Sequence, residues 1–336
     1  MLGFGHPALF SITTNMGDQR MKAKKNQSTM VHKTSWKRYL SQYWQFYAML
    51  IVPLAYFILF KYVPMFGNIL AFRRFRPLTG PYGVSWVGLR YFKQFLGQPQ
   101  FWNAFRNTLT LSAINLVVNF PIPIIFAILL NELQSLKFKK LVQTVSYMPR
   151  FISTVVVISI LTELLSPSSG MITRLLKNTF GIEPIYYMNE PEYFRFLYVL
   201  TDAWQYTGWT AIVYLAAITG ISSDMFEAAR IDGANRFQQI IYVTIPTILP
   251  TIMIMFILKV GNLLSLGFEK VLLMYTPSNS VVSDIIDTYV YRMGLQSSTN
   301  QYSYATAIGL FSGIIGLILV SSSNFLSRRL TGESIY

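Results

Sequence analysis

Four charged side chains interrupt stretches that are otherwise apolar: Arg150, Glu163, Asp202 and Lys259. Charges in such surroundings are costly, so they mark a ligand path or pair with one another. Arg150 offers a planar fork that holds a carboxylate through two parallel hydrogen bonds, as in recognition of a uronate. Asn119 and Asn262 can exchange hydrogen bonds with hydroxyls, and Trp204 and Tyr206 present ring faces on which a sugar can stack. Each has a plainer reading. Glu163, Asp202 and Lys259 can satisfy one another, and the aromatics, Trp204 above all, can simply pack between helices. Lys61 and Arg195 sit near the ends of apolar runs, where long stems reach the interface.

Other chemistries find no residues. There are no cysteines, and the two histidines, His6 and His32, both lie near the N-terminus. Zinc sites built on His or Cys are therefore excluded. No G-x-x-x-x-G-K-[ST] phosphate loop occurs, so ATP hydrolysis by this chain is not expected. One external carboxylate pair, Asp284 and Asp287, has the spacing that places both on one helix face. A membrane enzyme acting on lipid-linked sugars would use such a pair, but no third catalytic group accompanies it. A sensor coupled to a cytoplasmic partner is the other alternative.

The elements that must position these residues are membrane helices. Of 336 residues, 52% are hydrophobic and 12% charged; a soluble domain carries about 25% charged residues. The net charge of +14 is carried at the ends of apolar runs, the pattern of topology signals and anionic lipid contact rather than of nucleic-acid binding. Six stretches approach the roughly 20 apolar residues that a span needs: 44–65, 108–130, 142–165, 196–221, 240–263 and 304–325. The expected fold is all-α, a polytopic bundle of six transmembrane helices. Residues 1–40 read as a basic cytoplasmic tail, partly disordered, and 41–336 as the membrane domain. With both termini inside, the basic loops at 131–141 and 222–239 face the cytoplasm. One loop disagrees. Residues 66–106 hold Arg73, Arg74, Arg76, Arg90, Lys93 and Arg106 with no acid, yet must lie outside. They form either interfacial segments or a docking surface for a partner or an anionic ligand. Gly309 and Gly313 in the last span permit close helix packing.

The most informative segment runs from Asp224 to Phe237, between the fourth and fifth spans. Asp224 can cap a helix, with Glu227 closing a capping box. Ala228 and Ala229 favour helix and leave room for a partner. Gly233 suits the left-handed residue after a helix C-terminus. A short cytoplasmic helix, a sharp turn and a second helix entering the membrane follow, over 223–236.

These residues carry a resemblance. Glu227-Ala228-Ala229, then Gly233, then Val243-Thr244-Ile245-Pro246 resembles the EAA motif of binding-protein-dependent ABC importer permeases. Ile245 stands where that family has Leu. Asp232 and Ala234 complete the form seen in its carbohydrate-uptake branch. Gly267-Phe268-Glu269-Lys270, the run from Asp284 to Arg292, Tyr302-Ser303, and the run from Ser146 to Ser153 resemble the LplB-type subgroup, with Arg150 where that subgroup often has His. The resemblance covers about residue 40 to the C-terminus. It implies the ABC type I importer permease fold and a multi-pass place in the cell membrane. It implies import of sugars or oligosaccharides, with acidic polysaccharide fragments among the candidates. The implied partners are a second permease chain, two ATPase subunits that bind ATP and Mg, and an extracytoplasmic binding protein; no cofactor is expected here. In that family Glu227, Ala228, Ala229, Asp232 and Gly233 would couple to an ATPase. Arg150, Asp202, Trp204, Lys259, Asn262 and Asn119 remain candidates for the substrate path.

Overall fold

The computed structural model describes residues 36–76, 80, 82–297 and 301–331. Most of the N-terminal tail, with both histidines, lies outside them. The chain divides into Met1–Phe66 and Gly67–Tyr336.

In the first unit α1 (Trp36–Phe57) runs into a π-helical turn at Ile58–Tyr62. Pro53 sits inside α1, where its missing N–H frees a carbonyl of the preceding turn.

The second unit opens with a hairpin, β1 (Arg73–Arg74) and β2 (Ser85–Trp86), in which Arg73 pairs with Trp86 and Arg74 with Ser85. α2 (Arg90–Leu96) follows. α3 (Pro99–Asn119) and α4 (Pro121–Glu132) form one span. α5 (Leu136–Tyr147) and α6 (Thr154–Leu164) do not continue straight: they meet at a 99° bend. Pro149 removes a donor at this break, and Ser153 restarts the helix by accepting the Val156 N–H at 3.4 Å. The predicted span over 142–165 is therefore broken, and Arg150 lies in the break. α7 (Met171–Phe180) ends at Gly181, whose φ is +67°.

α8 (Pro191–Thr219) is the central element. Its Ala211, Tyr214 and Ile218 pack with Ala127 of α4 and Ile248. Its Phe194, Leu197 and Tyr198 pack with Leu111 of α3 and with Val271 and Met274. At Gly208 an added Cβ would run into the Ser146 carbonyl, so α8 touches the end of α5 backbone to backbone. α9 (Ser223–Ile231) turns 69° away from α8. α10 (Arg236–Gln239) passes through a π-helical turn at Ile240–Thr244 into α11 (Ile245–Gly261). Three short helices follow, α12 (Phe268–Met274), α13 (Ser280–Ser283) and α14 (Ile286–Tyr291), before α15 (Tyr302–Thr331).

Among the described residues, four helices are long and apolar enough to cross a membrane, and the two bent pairs raise the number to six. Ile125, Leu129, Leu258, Leu317 and Ile318 are each at least half exposed. In water such a surface would aggregate; in a bilayer it meets lipid tails. Asp284 and Asp287 do not share a helix face. Asp284 precedes α14 and Asp287 lies in its first turn, because Asp284 ends α13 in an extended conformation.

Candidate functional site

The residues first singled out for chemistry converge, in part, on one cavity. It has two lobes, of about 380 and 230 Å³, and Asp202, Tyr206, Thr210, Lys259 and Asn262 line both. Asn119 lines the smaller lobe. Asp202 to Thr210 occupy the middle third of α8 (Pro191–Thr219), between about 14 and 28 Å from its two ends at 1.5 Å per residue. Thr154, the first residue of α6, and Lys259, in the last turn of α11, complete the wall.

Its electrostatics rest on Lys270, which sequence reasoning did not single out. The Lys270 ammonium donates to the Asp202 carboxylate at 3.3 Å and to the Tyr198 carbonyl at 3.1 Å, and lies 4.7 Å from the Tyr198 ring centre. The two charged side chains are 5% and 13% exposed. Burial lowers the pKa of Lys270, and the charge and hydrogen bond of Asp202 act against that shift. Asn115 donates to the other Asp202 oxygen at 3.1 Å. Asn119 donates to Asn115 at 2.6 Å and to the Val199 carbonyl at 3.1 Å, while its own buried Oδ1 has no partner among the described residues. Lys259 and Asp202 therefore do not pair with each other. Lys259 lines both lobes and has no ion pair among the described residues.

Three candidates lie elsewhere. Arg150 is exposed at the break after α5, with its guanidinium 4.9 Å from the centre of the Tyr206 ring. It stands one ring away from the cavity rather than within it. Trp204 is 52% exposed and lines neither lobe. Glu163 accepts a hydrogen bond from Ser169 at 2.8 Å near the end of α6. Gln205, buried on α8, donates to the Ile152 carbonyl at 2.9 Å and so helps to satisfy the broken span. Lys270 was read only as part of the Gly267-Phe268-Glu269-Lys270 motif, because a lysine in a polar connection gives no local sign that it reaches a carboxylate inside a span. Asn115 was hidden because one amide in a helix has many uses.

At another end of the bundle α9 is built as a rigid, exposed handle. Ser222, not Asp224, is its N-cap, accepting the Asp224 N–H at 3.3 Å. Asp224 instead places its charge in the first turn, where the helix dipole favours an acid. The C-terminus closes with two crossed bonds: Ala234 N–H donates to the Ala229 carbonyl at 2.9 Å, and Gly233 N–H to the Arg230 carbonyl at 3.0 Å. This closure needs a left-handed residue, and Gly233 has φ +81°. Asn235 and Gln238 then form a reciprocal capping box, at 2.9 and 2.8 Å, that starts the next helix at once. Glu227, Ala228, Asp232 and Gly233 are exposed, and Ala229 is half-buried. Behind α9 lies a cleft of about 520 Å³, lined by Glu227, Arg230, Arg236 and Glu132. Arg236 pairs with Glu132 at 3.1 Å, which brings the end of α4 and the α9 turn to one end of the bundle, as the charge pattern predicts.

Apolar spans, a polar cavity half-way along them and a stiff exposed helix at one end define a multi-pass membrane transport protein. Residues 120–332 match the model of the family described as binding-protein-dependent transport system inner membrane component, and the chain belongs to that family. It is 44% identical, over 86% of its length and 89% of the relative's, to the polygalacturonan/rhamnogalacturonan transport system permease protein YteP of Bacillus subtilis (strain 168). It is 39% identical to protein LplB of the same organism, over 90% and 94% of the two chains. Its fold superposes with a TM-score of 0.81, at 37% identity and covering 90% and 100% of the two chains, on a chain from a bacterial alginate ABC transporter solved in complex with an alginate pentasaccharide-bound periplasmic protein. The fold is that of ABC importer permeases, and the relative YteP is named a permease protein.

Proposed function

We propose that this chain forms one half of the path through which an ATP-driven importer moves acidic oligosaccharides into the cytoplasm, and that α9 couples it to an ATPase. The observation that carries the reading is the union of a family match over residues 120–332 with an exposed Glu227-Ala228-Ala229 helix stopped by a left-handed Gly233. In this reading α9 faces the cytoplasm. Ala228 and Ala229 let a cleft of the ATPase approach closely, Glu227 meets a basic group there, and Gly233 with Asp232 holds the angle to the next helix. Closure of two ATPases around ATP and Mg then rocks the spans as rigid bodies and exposes the cavity to each face in turn. A second permease chain completes the path, and an extracytoplasmic binding protein delivers the substrate.

The acidic substrate class is supported by the names of the relatives and by the charges of the cavity. Asp202 is neutralised by Lys270, which leaves Lys259 in the cavity and Arg150 behind Tyr206 as cations, against Glu269. Uptake by vesicles holding the assembled transporter tests both parts. Glu227→Lys and Gly233→Asp are expected to abolish ATP-driven uptake while the protein stays in the membrane; full uptake by both refutes the coupling role. Galacturonate oligomers are expected to compete better than neutral oligomers of equal length, and the reverse order refutes the acidic assignment.

A further inference from the structure

The basic hairpin and α2 play no part in the cavity or in α9, yet their charge is of one sign only. No Asp or Glu occurs between Asp18 and Glu132, while residues 66–106 carry six Arg and Lys. Arg74 and Arg90 line a pocket of about 340 Å³ with Tyr91, Gln94, Tyr302 and Tyr304. Neither guanidinium has an ion pair or hydrogen bond among the described residues. In the same hairpin, Trp86 on β2 is 65% exposed, and Tyr82 in the turn before β2 is 50% exposed.

This surface is held stiffly. Val84 N–H donates to the Arg74 carbonyl and Val87 N–H to the Phe72 carbonyl, both at 2.8 Å. Gly83 has φ +75°, and an added Cβ would stand 2.9 Å from the Arg74 carbonyl oxygen. The Trp86 ring stacks on Phe72 at 5.7 Å, and Phe72 on Phe92 at 5.4 Å. Ser303 locks the hairpin to α15: it donates to the Arg73 carbonyl at 2.7 Å and accepts the Phe75 N–H at 3.0 Å. Tyr304 donates to Gln98 at 2.7 Å, which ties the same corner to the start of α3. The span begun by α3 ends at Glu132, against the α9 turn. The basic surface and α9 therefore occupy opposite ends of one span.

From this geometry we infer that the Arg74–Arg90 pocket and the exposed aromatic rings of the adjoining hairpin are the docking surface for an acidic face of the extracytoplasmic binding protein, with one carboxylate side chain of that protein seated between the two guanidiniums. Exposed Arg, Trp and Tyr on a rigid support are the residues that carry binding energy in protein interfaces. An excess of one charge over a whole face steers a partner of opposite charge and raises its association rate. A single sugar carboxylate would need only the pocket, whereas the charge here extends over hairpin and helix alike. The inference rests on the importer reading, which requires such a partner at the end away from α9.

The test uses the assembled transporter in nanodiscs and its own binding protein loaded with oligosaccharide. ATP hydrolysis is followed against binding-protein concentration at low and high salt. The Arg74→Gln/Arg90→Gln double variant is expected to raise the half-saturating concentration roughly fivefold or more at low salt, since two exposed ion pairs are lost. Its basal and maximal rates should match the wild type, and the difference should shrink at high salt. A second measurement needs no activity. The chain lacks cysteine, so Gln94→Cys introduces one thiol into this chain at the pocket, and loaded binding protein should slow its labelling by a maleimide. Half-saturation unchanged by the double variant, together with unprotected labelling, overturns the docking surface. So does an effect that appears only with anionic lipid in the nanodisc, or one that follows oligosaccharide concentration at saturating binding protein. A wild-type transporter that binding protein does not stimulate at all overturns the importer reading itself.

Discussion

The pair that most constrains the cavity is Asp202 with Lys270, because both charges have left water and neither is tolerable alone. Removing one partner of such a pair costs about 3–5 kcal/mol, whereas replacing both with apolar groups is often neutral. Asp202→Asn is therefore expected to lower the thermal unfolding temperature of the detergent-solubilised protein sharply. Asp202→Leu with Lys270→Met should recover most of that loss while changing uptake, and a double variant no more stable than Asp202→Asn would show that the pair is not the cause. Asp287, in the first turn of α14, makes a separate prediction. Burial pushes its carboxyl up to about 6 from the usual 3.8. A raised folded pKa means that the unfolded chain ionises first, so stability falls as pH rises from about 4 to about 6 and is then level. Asp287→Asn should remove that fall: unfolding temperatures measured from pH 4.5 to 7.5 should favour the variant at the upper end and converge at the lower.

Among the elements, α9 and the break after α5 owe their shape to single residues at their ends. Ser222→Ala removes the N-cap of α9 at a cost of about 1 kcal/mol. Because α9 is exposed, the loss should fray the helix without unfolding the bundle. Faster hydrogen exchange confined to the α9 amides, with a partial fall in coupled ATP hydrolysis, is the expected result. Gly208 acts in the opposite way, through space rather than conformation. Its α8 position presses on the Ser146 backbone, which cannot retreat. Gly208→Leu should separate α8 from α5 and reduce the yield of folded protein, as read by size-exclusion chromatography in detergent. Normal yield and uptake would show that the contact yields easily.

At the scale of the whole molecule, the proposed scheme uses three levels of the second unit: a basic surface at one end, a charged cavity between, and α9 at the other end. α8 connects two of them, since the residues that line the cavity and the residues that precede α9 belong to one helix. A push on α9 is thereby a push on the wall that holds Asp202 and Tyr206. The chain reconstituted alone is expected to give no ATP-dependent uptake, and co-reconstitution with its ATPase and second permease to restore it; uptake by the chain alone would remove the coupling scheme.

The number of spans, the breaker residues and the α9 turn were legible in the amino-acid sequence because each depends on local causes. Apolar runs meet lipid wherever they fold, and Gly233 takes a left-handed turn whatever its neighbours. The break after α5 was signalled by Pro149, but neither its 99° size nor the close approach of Gly208 to the Ser146 backbone was, since that approach joins elements distant in sequence. The partner of Asp202 was beyond local reasoning. Lys270 is 68 residues away, and only the folding of α12 onto α8 brings its ammonium to the carboxylate. The same folding set Lys259 in the cavity and left Trp204 outside it, since which face of a helix meets the cavity is decided by the neighbours it packs against.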